Sequence, residues 1–295
     1  MKVSVIVCTY TEKRFEDVLR CIKSLKNQTR PPDEILLVLD PIDRVIRFYE
    51  NVVSEDVKIV KSRGFGLSNA RNSGIEASVG DILMFIDDDA WADERWVENM
   101  LRHYSDETVY GVGGKIVPAF DEGRPKWLPE ELDWIVGCTY RGMPVGDIRN
   151  PIGANMSFRR KAFEIAGYFR TEVGRYGRRL LSGEEAEFAM RLKRLKPDAK
   201  IVYDPNAIVY HRVPKSRSML RYALRRAYYE GYSKAILSKE YRLGMEMNYL
   251  KFLVFDAIPK KLLRMNILET LGILSVMLFV ALGSVRGNVF IRTGR

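Results

Sequence analysis

The chain has 295 residues, with 48 Lys or Arg and 38 Asp or Glu, which gives a formal net charge of +10. From position 211 to the C-terminus, 16 basic and 5 acidic residues carry +11, and the preceding 210 residues, with the other 32 and 33, carry −1. The excess positive charge therefore lies in the tail. A neutral body disfavours a nucleic-acid-binding protein and favours a domain that docks through its tail.

Composition excludes several other classes. Hydrophobic residues make up 46% of the chain and aromatic residues 11%, which is enough for a large core and argues against disorder. Cys8, Cys21 and Cys138 lack the spacing of a disulfide scaffold or a zinc site, and fit a reducing compartment. The apolar run from Val3 to Tyr10 meets charged residues at once, so it predicts a strand rather than a signal peptide.

Residues 3 to 117 alternate short apolar runs with segments of helical spacing. The pattern predicts strands over 3–9, 34–40, 57–60 and 82–86, and helices over 15–25 and 67–77. Near-continuous apolar strands between helices predict a mainly parallel sheet covered on both faces, an α/β fold. Ligands bind beyond the carboxyl ends of such strands. Thr9, Asp40 and the run Asp87–Asp89 stand at these ends, so we expect them to meet at one edge.

The segment 118–150 is rich in proline and glycine, which predicts a long loop of the kind that forms a lid or an acceptor wall. Trp127, Trp134 and Tyr140 can stack on sugar there, or serve as ordinary core aromatics. Regular structure resumes over 153–169 and in a helix after 183. Two short strands are predicted next, over 201–203 and 207–210.

The basic tail contains two segments of interest. Residues 218–238 are predicted to be helical, with four basic side chains among Tyr and Leu and Arg217 just before them. Residues 267–285 form a 19-residue apolar stretch whose one charge is Glu269. A bilayer span needs about 20 apolar residues, so a span, an interfacial or re-entrant segment and a buried helix all remain open. The basic residues favour an anionic membrane surface. For a span, the 13 basic residues before it and 3 after it place the body on the cytoplasmic side.

Three consecutive aspartates, Asp87–Asp89, follow the fourth predicted strand. Adjacent like charges are costly unless a cation or a hydrogen-bonding ligand offsets them. Carboxylate oxygens at this density favour Mg²⁺ or Mn²⁺, which in proteins commonly bridge to a substrate phosphate. The alternative is a solvated acidic turn that caps a helix.

A family resemblance is carried by stretches in a fixed order: VSVIVCTY, EILLVLD, GLSNARNSGIEASVGDILMFIDDDA, GANMSFRRKAFEIAGYF, SGEEAEFAMRL and DPNAIVYH. The chain resembles family-2 glycosyltransferases, inverting enzymes of the GT-A (nucleotide-diphospho-sugar transferase) fold, over residues 2 to 211. The resemblance implies a GT-A catalytic domain over 1–211, with a nucleotide-sugar half over 1–117 and an acceptor half over 118–211. Residues 212–295 are then a helical, membrane-associating tail that contains the segment 267–285.

The resemblance also implies a nucleotide pocket. Thr9, Tyr10 and Glu12 would line the base and ribose, and Asp40 would read the edge of a uracil. The family usually has a second aspartate and small residues after that position, where this chain has Pro41–Ile42, so the identity of the base is less firmly implied.

The remaining donor-side roles fall on five residues. By the same resemblance, Arg71 would meet the diphosphate or the base, Asp87 would hold the ribose, and Asp88 belongs to the nucleotide-sugar set. Asp89 would bind the metal. His211 matches a position that completes the metal or diphosphate shell, and its alternative role is a lone histidine satisfied at a strand end.

Glu185 is the expected general base, with Glu184 as its rival, because the family commonly has Glu-Asp at these two positions. In an inverting transfer, a carboxylate on the acceptor side takes the hydroxyl proton during one in-line displacement at the anomeric carbon. The alternative is structural, since Ser182 followed by Glu185 forms a capping box at a helix start.

The segment KWLPEELDWIVGCTYRGMP resembles archaeal members that extend dolichol-linked glycans, including glucuronosyltransferases. Arg141 or Arg149 could then meet a donor carboxylate or a lipid phosphate. We expect a metal-dependent hexosyltransferase on the cytoplasmic face of the membrane that uses a UDP-sugar, UDP-glucuronate or UDP-glucose. Its acceptor would be a polyprenyl or dolichyl phosphate or a lipid-linked glycan, in glycan assembly or protein glycosylation. The alternatives are a polysaccharide acceptor and a non-catalytic, membrane-anchored nucleotide-sugar-binding module.

Overall fold

The computed structural model describes residues 1–172, 183–239 and 244–293. These residues form two compact units. Unit 1 contains 1–117, 144–172 and 183–211, and unit 2 contains 118–143 and the described residues from 212 onward. Unit 1 ends at residue 211, and the segment 118–143, which the sequence analysis assigns to the acceptor half of the catalytic domain, belongs to unit 2.

Unit 1 is built on a mixed sheet of nine strands in the described residues. The strands are β1 (Val3–Thr9), β2 (Glu34–Leu39), β3 (Val57–Lys61), β4 (Ile82–Asp87), β5 (Ala90–Ala92), β6 (Val109–Phe120), β7 (Gly146–Asp147), β8 (Asn155–Arg159) and β9 (Lys200–Val213). Their order across the sheet is β3-β2-β1-β4-β8-β6-β9-β5, and β7 pairs with β9.

The sheet has a parallel half and an antiparallel half. β1 runs parallel to both β2 and β4, and β2 runs parallel to β3. β8 is antiparallel to β4 and β6, and β9 is antiparallel to β5 and β7. The mainly parallel arrangement expected from the sequence therefore holds only through β4. Parallel neighbours need a long crossover, usually a helix, and one helix lies between each pair of consecutive strands from β1 to β4.

β9 corrects the expectation of two short strands. A single strand runs from Lys200 to Val213, although Pro205 cannot donate a backbone hydrogen bond. The Asp204 carboxylate accepts the backbone N–H of Asn206 at 2.9 Å, which holds the chain extended across the proline. Different partners pair with the two ends of the strand, β7 with the first and β5 with the second.

Six helices cover the sheet in the described part of unit 1: α1 (Phe15–Lys26), α2 (Asp43–Val52), α3 (Leu67–Ala77), α4 (Trp96–Leu101), α5 (Arg160–Ala166) and α6 (Glu184–Leu195). The bounds of α3 match the sequence prediction. Gly74 lets α3 approach the sheet closely, because a Cβ at that position would lie 2.6 Å from Ile6 Cγ2. This contact fixes the helix that carries Arg71 against β1.

Unit 2 is helical in its described residues. It contains α7 (Leu220–Leu237), α8 (Gly244–Phe252), α9 (Ile258–Leu263) and α10 (Ile267–Thr293), with a π-helical turn over Leu253–Ala257. A 3-10 helix over Glu130–Val136 lies within the segment predicted as a loop. Trp134 Nε1 donates to the Tyr249 hydroxyl at 3.0 Å, and the Tyr140 ring lies 4.7 Å from that of Tyr249. These two aromatics therefore pack inside unit 2.

α10 extends the predicted apolar segment to Thr293, since no proline interrupts the chain after residue 285. Among the described helices, it alone is long and apolar enough to cross a membrane, over Ile267–Phe290 with a mean hydropathy of 2.0. Length and composition by themselves do not distinguish a span from an interfacial helix.

Candidate active site

The three aspartates lie where β4 ends and β5 begins, and His211 lies opposite them. The register of β5 and β9 pairs Ala90 with His211, which brings the imidazole beside the residue before Ala90. His211 Nε2 is 3.2 Å from Asp89 Oδ1 and 3.9 Å from Asp87 Oδ2. The predicted association of His211 with the acidic run is therefore present in the structure.

This cluster has the donor set of a divalent cation site. One ligand atom from each of Asp87, Asp89 and His211 lies within 4.8 Å of the others. Asp89 and His211 are buried, whereas a third of the Asp87 side chain remains exposed. Within the described residues, the buried His211 Nδ1 has no hydrogen-bond partner. Two carboxylates and one imidazole around a common point, open on the Asp87 side, fit a divalent cation that also reaches a ligand.

Asp88 faces inward, between Thr9 and Arg14. Thr9 Oγ1 donates to one carboxylate oxygen of Asp88 at 2.6 Å, and Arg14 Nη1 donates to the other at 2.6 Å. Arg14 also lies 3.3 Å from Asp89 Oδ2. Burial raises the pKa of Asp88, and Arg14 opposes that shift. Sequence reasoning missed Arg14, although three adjacent carboxylates signalled the need for a nearby cation.

The residues predicted to contact the nucleotide lie at the ends of β1 and β2. The backbone N–H of Asp40 donates to the Thr9 carbonyl at 3.2 Å, which joins the two strand ends. Burial raises the pKa of Asp40, opposed by a hydrogen bond from the Gly66 backbone. Tyr10 is exposed, with its ring centre 5.5 Å from the Arg14 guanidinium carbon. The Glu12 carboxylate pairs with Arg44 on α2.

Arg71 connects the aspartates to α6. Its Nη1 donates to Glu184 Oε1 at 3.1 Å, and its Nη2 donates to the Gly153 carbonyl at 3.1 Å. The same Nη2 lies 3.6 Å from Asp87 Oδ1. Position 153 must be small, because a Cβ there would lie 2.8 Å from Arg71 Nη2. We call Asp87, Asp89 and His211 the metal-type cluster. One buried guanidinium therefore lies next to both this cluster, at Asp87, and the first turn of α6.

Glu184 and Glu185 differ in exposure. Glu184 is buried against Arg71, whereas Glu185 is partly exposed and adds to the negative potential that raises the pKa of Arg71. The Gly183 backbone forms the start of α6. The capping-box alternative depends on Ser182, which lies outside the described residues.

Together, the mixed sheet flanked by helices and the acidic cluster at the carboxyl end of β4 have the architecture of the GT-A fold. Residues 4–166 match the Glycosyl transferase family 2 profile. The chain belongs to this family and is a glycosyltransferase.

Two relatives cover most of the chain. A glucosyl-dolichyl phosphate glucuronosyltransferase from Haloferax volcanii is 31% identical over 292 residues, which span 96% of this chain and 92% of the relative. The succinoglycan biosynthesis protein ExoM of Rhizobium meliloti is 24% identical over 83% of this chain and 78% of its own length.

The structure of the mannosyltransferase PcManGT from Pyrobaculum calidifontis, in complex with GDP-Man and Mn²⁺, superposes with a TM-score of 0.57. The match covers 99% of this chain and 79% of PcManGT at 18% sequence identity. At that identity the likeness establishes the fold, and it confirms the GT-A architecture expected from the sequence.

Proposed function

We propose that the chain transfers a hexose or hexuronic acid, with inversion, from a UDP-sugar to a lipid-linked acceptor. The observation that carries this proposal is the position of Arg71, which contacts both Asp87 of the metal-type cluster and Glu184 of α6. A positive charge that can contact a leaving diphosphate therefore lies next to carboxylates that can accept a proton from an attacking hydroxyl. The 31% identical relative, a glucosyl-dolichyl phosphate glucuronosyltransferase, supports a glucuronate donor and a dolichyl phosphate-linked acceptor.

On the donor side, Asp87, Asp89 and His211 would hold Mg²⁺ or Mn²⁺. When bound, the ion supplies positive charge to the diphosphate as that group departs. Arg71 would add a second positive charge, because the neighbouring carboxylates keep its guanidinium ionised despite its burial. Asp88 would have a positioning role, because its hydrogen bonds with Thr9 and Arg14 fix the turn that carries Asp89.

The nucleotide would bind across the ends of β1 and β2. Tyr10 offers an exposed aromatic face to a base, and the adjacent Asp40 carboxylate can accept a base N–H. Thr9 joins this pocket to the aspartates through Asp88. Glu12 would lie beside the ribose, held in place by its ion pair with Arg44.

On the acceptor side, we assign Glu185 as general base and Glu184 as the residue that positions Arg71. The Glu184 carboxylate is buried and committed to Arg71, whereas Glu185 is partly exposed one position along the same helical turn. Glu185 would take the acceptor hydroxyl proton as the oxygen–anomeric carbon bond forms and the bond to the diphosphate breaks.

The site of action would be the cytoplasmic face of a membrane. Residues 1–211 would form the catalytic domain, and 212–295 would provide the attachment. The three cysteines are free thiols, which fits a reducing compartment. In this setting the enzyme would serve lipid-linked glycan assembly for protein glycosylation.

A labelled-donor assay tests the proposal. The full chain, purified in detergent, is given radiolabelled UDP-glucuronate, UDP-glucose or GDP-mannose together with dolichyl phosphate or glucosyl-dolichyl phosphate. We expect label in the lipid fraction from a UDP-sugar with Mn²⁺ or Mg²⁺, and none after chelation of the metal. Label confined to water-soluble glycans would overturn the lipid acceptor, and label from GDP-mannose alone would overturn the UDP donor.

Two variants complete this assay. Asp89→Ala is expected to abolish transfer. Asp198→Ala, which removes an exposed carboxylate paired with Lys196, is the matched control and should transfer like the wild type. Equal loss of transfer in both variants would show that the assay reports general damage rather than the site.

A further inference from the structure

α10 presents two different faces within unit 2. Its buried face includes Thr270, Ile273, Val276 and Gly283. The opposite, exposed face is a row of aliphatic side chains at intervals of three and four residues: Leu268, Leu271, Leu274, Leu278, Leu282 and Val285. Such spacing places the row along one side of the helix.

α7 packs against the buried face of α10 at backbone contact. A Cβ at Gly283 would lie 1.9 Å from the Tyr228 carbonyl oxygen, and one at Gly231 would lie 2.0 Å from the Val280 carbonyl oxygen. Ser284 Oγ donates to the Gly231 carbonyl at 3.2 Å. With no side chains between the two backbones, a membrane that contains this part of α10 must also contain α7.

α7 is a charged helix. Arg226 pairs with Glu230 at 2.7 Å, and Lys234 lies 3.4 Å from the same carboxylate. Arg221 is exposed on the preceding turn. Ionisable side chains at the centre of a bilayer are costly, so α7 is unsuited to the hydrocarbon core.

The first half of α10 is also in close backbone contact, here with the non-helical segment around Trp127. A Cβ at Gly272 would lie 2.2 Å from the Trp127 carbonyl oxygen, which precedes the 3-10 helix of residues 130–136. Gly272 and Gly283 are about 16 Å apart along a helix, well within the ~30 Å of a hydrocarbon core. A span through α10 would therefore draw both irregular backbone and charged helix into lipid, which membranes disfavour.

We infer that α10 lies in the plane of the membrane, with the aliphatic row in the lipid and α7 on the aqueous side. The partner is the surface of a bilayer with anionic headgroups. Leu263 and Met265, 85% and 79% exposed, extend the apolar surface beyond the N-terminal end of α10. Arg264 and Arg286 are exposed near the two ends of the row, where they match anionic headgroups. The inference builds on the membrane attachment in the proposed function, but uses unit 2 alone.

Reporter fusions distinguish an in-plane helix from a span. Alkaline phosphatase, active only after export, and green fluorescent protein, fluorescent in the cytoplasm, are each fused after Arg295 of the full chain and expressed in bacteria. An in-plane α10 gives fluorescence and no phosphatase activity. In the control, a known spanning segment inserted before the reporter must then activate the phosphatase. The reverse pattern, phosphatase activity without the added segment and fluorescence with it, overturns the inference.

Vesicle flotation tests the partner. The full chain is mixed with vesicles of phosphatidylcholine and phosphatidylglycerol, and the floated fraction is measured. Leu274→Lys with Leu278→Lys should lower binding about tenfold or more, because two exposed aliphatic side chains that would insert into the lipid are lost. Val79→Lys adds charge at an exposed aliphatic residue of unit 1 and should leave flotation unchanged.

The remaining outcomes are also decisive. If the double variant floats normally but loses a dimer seen in solution, the row is a contact between copies and the inference is wrong. Transfer to a short-chain acceptor in detergent is measured in parallel. Loss of flotation with intact detergent transfer supports the membrane role of the row. Normal in-plane insertion without any transfer contradicts the proposed function instead.

Discussion

Arg71 and Glu184 form a buried ion pair, 3.1 Å from Nη1 to Oε1, that joins α3 to the first turn of α6. The guanidinium also touches the Gly153 carbonyl and lies 3.6 Å from Asp87. Burial alone would lower the pKa of Arg71, but Glu184 and Asp87 raise it overall. The pair therefore keeps the charged guanidinium of Arg71 between Asp87 and the first turn of α6.

Substitution of Glu184 should mainly lower stability, whereas substitution of Glu185 should mainly lower the rate of transfer. Glu184→Gln removes one partner of a buried pair, so the free energy of unfolding should fall by about 3 kcal/mol. Glu185→Gln should leave the unfolding free energy nearly unchanged, since that side chain is partly exposed. Its transfer rate should fall about 10²–10⁴-fold, because it lacks a proton acceptor. Chemical denaturation and initial rates measure the two effects.

Donor binding provides the control for this pair. Glu185→Gln should bind the nucleotide sugar like the wild type, measured by calorimetry. The roles are reversed if Glu185→Gln transfers normally while Glu184→Gln is stable, binds donor and fails to transfer.

The Arg14 guanidinium should partly replace the positive charge of the metal ion when the protein is prepared without metal. Arg14→Gln leaves Asp88 and Asp89 without the guanidinium that lies 2.6 and 3.3 Å from them, so the metal-free Tm should fall. Added Mn²⁺ should raise the Tm more in Arg14→Gln than in the wild type, because the cation relieves more repulsion there. Arg63→Gln, which removes an exposed arginine paired with Glu76, is the control and should behave like the wild type. An equal Mn²⁺-induced rise in Tm in Arg14→Gln and the wild type would contradict this role.

Metal binding itself can be measured without turnover. Asp89→Asn should weaken Mn²⁺ binding at least about tenfold, because it removes one of three ligands and leaves the imidazole facing an amide. Electron paramagnetic resonance of free Mn²⁺ gives the affinity. Asp198→Asn serves again as the control. Unchanged affinity in Asp89→Asn would show that the ion binds elsewhere.

The sequence predicted the parts of the fold that local pattern determines. Apolar runs and helical spacing identified β1 to β4 and the bounds of α3, because β1, β2 and β4 are largely buried and a helix lies between each strand and the next. The carboxyl-end rule then placed Thr9, Asp40 and Asp87 at one edge, and the structure joins these strand ends by backbone pairing.

Pairing between strands that are distant along the chain could not be predicted from the sequence. The antiparallel half of the sheet and the continuity of β9 depend on which strands become neighbours, and no local period encodes that. Asp88 illustrates the same limit at the site. Its sequence context is the same as that of its neighbours, yet it faces inward because Thr9 and Arg14 meet it there.

Stability at low pH should depend on Asp204 in β9, the strand that carries His211. Burial would raise the pKa of Asp204, but the Asn206 backbone N–H, His103 and Arg102 lower it overall. A carboxyl whose pKa is lowered on folding stabilises the protein above its unfolded pKa, near 3.9. That contribution is lost as the pH falls through the folded pKa. Asp204→Asn should therefore cost about 1–3 kcal/mol at pH 7.

The difference in unfolding free energy between the wild type and Asp204→Asn should begin to narrow below about pH 4, where the carboxyl protonates in the unfolded chain, and its charge-dependent part should be lost as the pH falls through the lower pKa of the folded protein. Urea denaturation at several pH values measures it. Asp106→Asn, at an exposed carboxylate, should cost less at pH 7 because its charge is already solvated. A pH-independent difference for Asp204→Asn would mean that its hydrogen bonds, rather than its charge, hold β9 extended across Pro205.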